Sequence, residues 1–431
     1  MIKKRKKTIF GKALIVLSCG LLANSFAIAQ SPKSLTLDNC YQLAESNYPL
    51  VKQYALIDKT KDYSITNASK GYLPQINIGG QASYQSDVTK IPISLPNIDI
   101  PTMSKDQYKL YGEVSQPITD LFTTVKYQKE LINTNTVVEQ QKIEVELYKL
   151  KERINQLFFG ILLIDAQIDQ TEILKKDIRS GIDKNSVAIA NGIALKSSAD
   201  VLKAELLKAD QRTIELKDTR KGYTDMLSLF INQSIDEYTA LEKPFTAPLA
   251  TEINRPELKL FDLQKKTFDV QSKLIDNKTL PRFSLFVQGG YGRPGLNMLN
   301  NDFDLYYIGG VRLTWNISSF YTQKQEKQLL NLNQNALDVQ KETFLFNTNL
   351  TLKQQNSEIT KLEELIQTDN DIIRLRENVK LSAQNQLQYG TATTNDYLTY
   401  INAEDQAKQN QILHEIQLLM AQYNFKTTAG N

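Results

Sequence analysis

The chain has 431 residues, of which 51 are Lys or Arg, 48 are Asp or Glu and one is His, so its formal charge is +3. One histidine and two cysteines supply few of the side chains that metal sites and nucleophilic catalysis use. We find no catalytic constellation, and we therefore predict a protein that is not an enzyme and that has no cofactor and no metal site.

The first 29 residues have the pattern of a cleaved secretory signal. Six basic residues accompany an apolar run over residues 13–22, and small residues at 27 and 29 suit a cleavage after Ala29. Removing this segment turns the formal charge from +3 to −3, which leaves no basic surplus to indicate nucleic-acid binding. Lipidation at Cys19 is the alternative, although residues 16–18 match a lipobox poorly.

Two segments with alternating polarity follow an amphipathic stretch. Leu73 and Pro74 lead into residues 75–84, where apolar residues alternate with polar residues or Gly, and a second such segment covers residues 108–118. Alternation over about ten residues with aromatic ends is typical of a membrane barrel strand that has one lipid face and one polar lumen face. A half-buried sheet in a soluble domain gives the same alternation, but the export signal, the matched pairs of strands and the long loop within each pair favour the membrane barrel.

Two long windows, residues 118–243 and 295–431, contain none of the twelve prolines. Because proline disrupts a helix interior, its exclusion predicts very long helices. Each window has one break, at residues 191–200 and at 389–396, and so predicts an antiparallel helical hairpin. The first window carries a heptad seam that predicts coiled-coil packing, and Asp369 and Arg376 interrupt the weaker seam of the second. The first seam consists of Ile143, Leu147, Leu150, Ile154, Leu157, Ile161, Ile164 and Ile168.

The order of these segments occurs twice. Leu280-Pro281 and Tyr291 follow Leu73-Pro74 and Tyr84 at an offset of 207 residues. Such a duplication indicates two structural repeats, which we place at residues 30–243 and 244–431, each with a helix, two strands and a helical hairpin. Four strands cannot close a barrel, and open sheet edges are costly in hydrocarbon, so the chain is expected to share strands with copies of itself.

The sequence resembles the TolC-type outer-membrane efflux protein family in the order of its motifs. The matching motifs are the duplicated Leu-Pro entries, the strand-to-helix exits at residues 116–118 and 315–317, and the hairpin tips at residues 192–205 and 390–404. The resemblance covers residues 35 to 423. It implies an α+β membrane protein that forms a homotrimer, with a 12-stranded β-barrel in the outer membrane joined to a periplasmic α-helical barrel.

The resemblance also implies a function and partners. The chain is expected to be the exit duct of a tripartite efflux or type I secretion system, for passive export of small molecules, metal ions or polypeptides. Its expected partners are outer-membrane lipid, a periplasmic adaptor (membrane fusion) protein and an inner-membrane pump of the RND, ABC or MFS type. An exported coiled-coil structural or adhesive surface protein is the alternative, and a secreted hydrolase is a more distant one.

The family commonly narrows its periplasmic end with acids after the tip glycine of the second hairpin. Asp396 occupies such a place after Gly390, as either a constriction residue or an N-cap. In the first repeat Asp200 lies eight residues after Gly192, which predicts a tip about two residues longer or a turn that begins at Ala194. Ser197 and Ser198 are competing caps for that helix.

Four other residues have side chains that could serve either structure or function. Glu113 and Arg312 lie on the polar faces of their strands, which predicts either a solvated sheet face or charges in the barrel lumen. His414 has no second histidine with which to bind a metal, and we interpret it as a surface or groove residue. Cys40 is predicted to be a small buried side chain.

Overall fold

The computed structural model describes residues 34–90, 92, 102–236, 239–250 and 252–431. The predicted signal segment and Cys19 lie outside these residues.

The chain alternates short strands with long helices. The first half contains α1 (Leu37–Asn47), α2 (Lys52–Ser69), β1 (Gln75–Tyr84), β2 (Asp106–Pro117), the one-turn α3 (Thr119–Phe122), α4 (Thr124–Tyr148), α5 (Leu150–Ala190) and α6 (Lys196–Ile231). The second half contains α7 (Pro256–Lys278), β3 (Arg282–Arg293), β4 (Asp304–Thr314), α8 (Ser319–Gln388) and α9 (Thr394–Ala429). The two strand pairs and the two helical hairpins predicted from the sequence are thus present.

The four strands form one antiparallel sheet in the order β1-β2-β3-β4. Each strand pairs with its neighbour in sequence, so β1 and β4 are the edges of the sheet and lack a second strand partner within the described residues. Side chains alternate between the faces of a strand, and directly paired residues share a face. The register therefore assigns every strand residue to one of two faces.

The first hairpin packs around an aliphatic seam. Six of the eight predicted seam residues are buried, with Ile154 and Ile161 fully enclosed, whereas Leu157 and Ile168 are half-buried. The arm before the tip is interrupted at Lys149, where α4 ends and α5 begins. Cys40 on α1 joins the core that these helices build, and burial raises the pKa of its thiol to about 12.

The second hairpin has a continuous first arm, because α8 runs for 70 residues. Asp369, which interrupts its apolar seam, is buried, and its Oδ2 lies 2.6 Å from Nδ1 of His414 on α9. The His414 side chain is only 20 % exposed. His414 therefore lies half-buried in the groove between α8 and α9, in agreement with the predicted groove position, whereas its pairing with a buried acid was not predicted.

Among the described residues, no helix is both long enough and apolar enough to cross a membrane.

Candidate functional site

The two hairpin tips have the same backbone. Gly192 and Gly390 both have positive φ, at 72° and 70°, and both follow the last residues of a long helix. In each tip the glycine N–H bonds the carbonyl three residues earlier, and the next N–H bonds the carbonyl five residues earlier. This is the Schellman ending of a helix, which strongly favours glycine at the left-handed position.

The tips also have equal lengths, which corrects the prediction for the first repeat. Helix α6 begins four residues after Gly192, and α9 begins four residues after Gly390. Counted from the glycine, the position of Asp396 is occupied by Ser198 in the first tip. Asp200 lies two residues further into α6, where it is exposed and 3.7 Å from Lys203. The longer first tip was inferred by aligning the acids, whereas the glycines are the equivalent residues.

Side-chain capping differs between the two tips. The N-cap of α6 is Leu195, which makes no side-chain capping bond, so Ser197 and Ser198 are not caps. The N-cap of α9 is Thr393, whose hydroxyl accepts the Asp396 N–H at 3.2 Å. Asp396 returns the bond, because its Oδ2 accepts the Thr393 N–H at 3.0 Å. Asp396 is therefore the third residue of a capping box and not the N-cap itself.

The capping box leaves Asp396 exposed and charged. The hydroxyl of Thr393 and, next, its backbone N–H hold the pKa of the Asp396 carboxyl below its usual value. The first tip instead exposes aliphatic side chains, with Ile193 60 % and Leu195 74 % exposed. Ile193 also contacts the second tip, because a Cβ added to Gly390 would lie 2.9 Å from its Cγ2.

Buried charges behind the tips connect the hairpins. Glu404 on α9 is 3 % exposed in its side chain and lies between Lys380 of α8, at 2.6 Å, and Lys408, at 2.8 Å. Lys380 also reaches Asp177 on α5 at 3.0 Å. Burial alone would lower the pKa of Lys380, but its bonds to Glu404 and Asp177 outweigh that effect and raise it. Tyr397, nearly fully buried, packs against Gly181 of α5.

A second buried acid lies beside this group. Asp405 accepts the side-chain amide of Gln170 at 3.0 Å and lies 3.4 Å from Arg212. Burial raises the pKa of its carboxyl, and these two partners partly offset the rise. The sequence analysis missed these ion pairs, since charged residues on long helices more often face solvent. Acidic residues at positions of the apolar helix seam, such as Asp369, are the sequence feature that could have indicated them.

In the sheet, Glu113 and Arg312 lie on one face and contact each other. The two guanidinium nitrogens of Arg312 bond the two carboxylate oxygens of Glu113 at 2.5 and 2.8 Å, across the intervening strand β3. The guanidinium also stacks over the ring of Phe286, 4.3 Å from its centroid. The bidentate pair fixes both side chains against the sheet.

The opposite face of the sheet is apolar and exposed. Ile78 is 84 % exposed, Val287 60 %, Leu305 77 % and Tyr307 81 %, and the register places all four on this face. Exposed apolar patches of this extent mark surfaces that contact a membrane or another protein. The sheet therefore has one face suited to hydrocarbon and one that carries Asn77, Gln81, Glu113 and Arg312.

Among the described residues, no three His, Cys, Asp or Glu side chains are grouped so that they could hold a metal ion. No protein-family model and no curated protein sequence matches the chain.

Solved structures match the chain over almost its whole length. CusC, described as forming a transmembrane channel, superposes with a TM-score of 0.65 at 12 % identity over 94 % of this chain and 96 % of its own. The outer membrane protein VceC from Vibrio cholerae gives 0.60 at 12 % identity, over 91 % of this chain and 94 % of that chain. The outer membrane channel CmeC from Campylobacter jejuni gives 0.60 at 13 % identity, over 91 % and 85 %. The chain thus has the fold of the TolC-type outer-membrane channels that its sequence resembles.

Proposed function

We propose that this chain is the outer-membrane exit duct of a tripartite efflux or type I secretion system. In this role it conducts small molecules, metal ions or polypeptides passively from an inner-membrane pump and catalyses no reaction. The observation that carries the proposal is the exposed apolar face of the sheet, which is suited to contact with lipid. Long helices continue from the strands and can extend well beyond the thickness of a membrane. The 70 residues of α8 extend about 100 Å at ~1.5 Å per residue.

The open sheet edges support a closed oligomer. In hydrocarbon each unpaired backbone group costs several kcal/mol, and strands β1 and β4 would expose a row of them. Three copies in cyclic symmetry would pair each β4 with the β1 of the next copy and give a 12-stranded barrel. The apolar faces would then meet outer-membrane lipid, and the two repeats, residues 30–243 and 244–431, would alternate around the axis.

The helical tips are proposed as the periplasmic end of the duct, where an adaptor protein and a pump of the RND, ABC or MFS type would connect. Gly192 and Gly390 turn the chain there, and Asp396 and Asp200 supply exposed negative charge at the turns. We assign Asp396 to the constriction, because its carboxylate is fixed by Thr393. Asp200 is assigned a smaller contribution to the charge of the constriction, because it is paired with Lys203.

Two measurements test the proposal. Outer membranes extracted with mild detergent should yield the mature chain at three times its subunit mass, and the purified protein should conduct ions in planar bilayers. A monomer that is stable without detergent and has intact strands would contradict the channel. It would favour the exported coiled-coil structural or adhesive protein.

The tip assignment is tested by the same conductance measurement. Asp396→Asn keeps the size of the side chain, so the fold should persist while the pore becomes less cation-selective and less sensitive to multivalent cations. Asp200→Asn should change selectivity less. If Asp396→Asn leaves ion selectivity unchanged and Asp396→Ala lowers thermal stability, Asp396 serves only the capping box of α9 and has no role in the constriction.

A further inference from the structure

A cleft opens between helix α1 and the segment that follows α6. Eleven described residues line it, from the ranges 34–46 and 231–239, and its volume is about 570 Å³. That volume lies within the range of sites that hold small molecules. The cleft is remote from the sheet and from the tips, because Tyr41 of α1 bonds Asn155 near the start of α5. We name it the amide cleft, after side chains of its two walls.

The two walls of the amide cleft are fixed to each other. Asn232, in the left-handed conformation with φ 52°, ends α6 and turns the chain into the second wall. At one end of α1 the side-chain amide of Asn47 donates to the carbonyl of Ile231 at 3.2 Å. Before the other end, the N–H of Leu35 donates to the carbonyl of Ala240 at 2.9 Å. The fold itself therefore holds the cleft in shape.

The walls of the amide cleft are polar but uncharged. Charged residues make up 23 % of the chain, and none is among the eleven described residues of the lining. The side-chain amides of Asn39, Gln42 and Gln233 belong to the lining and are exposed or half-buried, and none of them bonds another described residue. Each amide offers hydrogen-bond donors and an acceptor. Both walls therefore present amide groups without a protein partner to the same accessible space.

The chemistry of the lining limits the class of ligand. A charged ligand is usually held by charge-assisted hydrogen bonds, and the lining supplies no charge for them. An extended peptide would need an open backbone edge with which to pair. The backbone of Leu35 offers none, because its N–H bonds Ala240 and its carbonyl accepts the N–H of Glu242 at 3.1 Å. Uncharged hydroxyl and amide groups are the ligand chemistry that fits the lining.

An N-acetylated sugar carries these groups. Its hydroxyls and its amide can exchange hydrogen bonds with side-chain amides, which both donate and accept. The methyl of its acetyl group is apolar, and Leu43, half-buried in the lining next to Gln42, supplies an apolar contact for it. The amide cleft thus matches both the polar and the apolar part of such a sugar.

We propose that the amide cleft binds an oligosaccharide of N-acetylated sugars, the glycan chemistry of the cell wall. The inference rests on the proposed function, because a duct that crosses the periplasm passes through the cell wall. Hydration alone explains a single exposed amide. It does not explain why three amides from two walls meet in one preformed cleft that contains no charge.

The test uses the full mature chain in lipid nanodiscs and two neutral trisaccharides. Tri-N-acetylchitotriose carries an acetamido group on each ring, whereas maltotriose carries only hydroxyls. Binding is measured by saturation-transfer NMR titration, with empty nanodiscs subtracted, and the wild type should prefer tri-N-acetylchitotriose. Gln233→Leu and Asn39→Leu should each weaken its binding about fivefold, as expected for the loss of one hydrogen bond.

Gln53→Leu is the matched control, because Gln53 is an exposed amide on α2 outside the lining of the cleft, and it should leave binding unchanged. Ser234→Trp fills the cleft from an exposed position in its lining and should abolish binding. None of the replaced side chains is buried, so each variant should unfold near the temperature of the wild type, which circular dichroism verifies. Wild-type nanodiscs should also sediment with purified cell-wall sacculi, whereas those with Ser234→Trp should stay in solution.

Three results would overturn the amide cleft as a glycan site. They are equal binding of the two trisaccharides, equal losses in Gln233→Leu and Gln53→Leu, and equal sedimentation of wild type and Ser234→Trp. Failure of the proposed function has a different signature. A wild-type protein that conducts ions in planar bilayers but binds neither trisaccharide refutes only the amide cleft, whereas one that binds tri-N-acetylchitotriose but does not conduct refutes the channel.

Discussion

The two helical hairpins have the same tip backbone but differ in how much charge their packed seams bury. The first, α5 and α6, packs mainly around fully buried aliphatic side chains such as Ile154 and Ile161, and buries the cation Lys175, which lies 2.9 Å from Asp210. The second, α8 and α9, has an apolar seam interrupted by buried charges, with Asp369 on His414 and Glu404 between two lysines.

Long helices that end in the same tip geometry can therefore pack around cores of different polarity. An aliphatic seam gains free energy from every buried methylene, whereas buried ion pairs roughly offset their own desolvation and are costly when one partner is lost. The first hairpin should therefore be sensitive to inserted charge, and the second to the removal of charge.

The largest effect is expected from Ile161→Asp, which places an unpaired carboxylate in the core of the first hairpin. Ile161 is 0 % exposed, so the cost should exceed about 3 kcal/mol of unfolding free energy. Chemical denaturation followed by circular dichroism in detergent measures it. Ile173→Asp on the same helix is the control, because Ile173 is 45 % exposed. Similar losses in both variants would mean that α5 does not have a buried face.

A smaller loss is expected from Glu404→Gln in the second hairpin. Lys380 and Lys408 would lose their shared buried partner, at a cost of about 2–3 kcal/mol. The pKa of Lys380 is raised in the folded protein, so the contribution of its pairing is present below its ordinary pKa of 10.5 and is lost as pH rises through the folded value. The deficit of the variant should therefore shrink in strong alkali. Glu358→Gln, at an exposed pair with Lys361, is the control and should be nearly neutral.

The Asp369 and His414 pair should show coupling in a double-mutant cycle. Asp369→Leu and His414→Leu each leave one polar group unpaired, whereas the double variant restores an apolar seam. We expect the double variant to be about 1 kcal/mol more stable than the sum of the single losses predicts. Additive losses would show that the 2.6 Å contact contributes nothing.

The smallest effect concerns the tips. Asp396→Asn should lower the unfolding temperature slightly at neutral pH, because a carboxylate is the better acceptor for the Thr393 N–H. The folded pKa of Asp396 is lowered, so its stabilisation is present above the ordinary value of 3.8 and is lost as pH falls through the folded value. Wild type and variant should converge in acid.

The first tip allows the converse experiment. Leu195→Thr with Ser198→Asp would copy the capping box onto α6 at equivalent positions, and the unfolding temperature should rise slightly. A fall would mean that Leu195 makes a contact more valuable than the cap.

Much of the fold could be predicted from the sequence, because its strongest signals are local. The absence of proline over residues 295–431 and the break at residues 389–396 correctly predicted a very long helix before the second tip, and α8 ends at Gln388, directly before that break. The break at Lys149 was not predicted, since neither Pro nor Gly marks it. Nothing in its immediate sequence explains the interruption.

The candidate site was harder to predict, because it depends on contacts between distant segments. Aligning the two tips by their acids suggested a longer first tip, whereas the hydrogen bonds around Gly192 and Gly390 show equal lengths. The contact between Glu113 and Arg312 needs the register of three strands, and alternation gives only the face of each residue.

The unbroken α8 and the interrupted arm of α4 and α5 also differ as mechanical elements. A continuous helix has a hydrogen bond at every turn and behaves as a stiff rod, so a rotation applied at one end is carried to the other. An arm with a break at Lys149 can bend there and absorb part of the same rotation. The chain therefore combines one uninterrupted arm with one that is interrupted at Lys149, and a twist applied at the sheet would reach the second tip with less loss than the first.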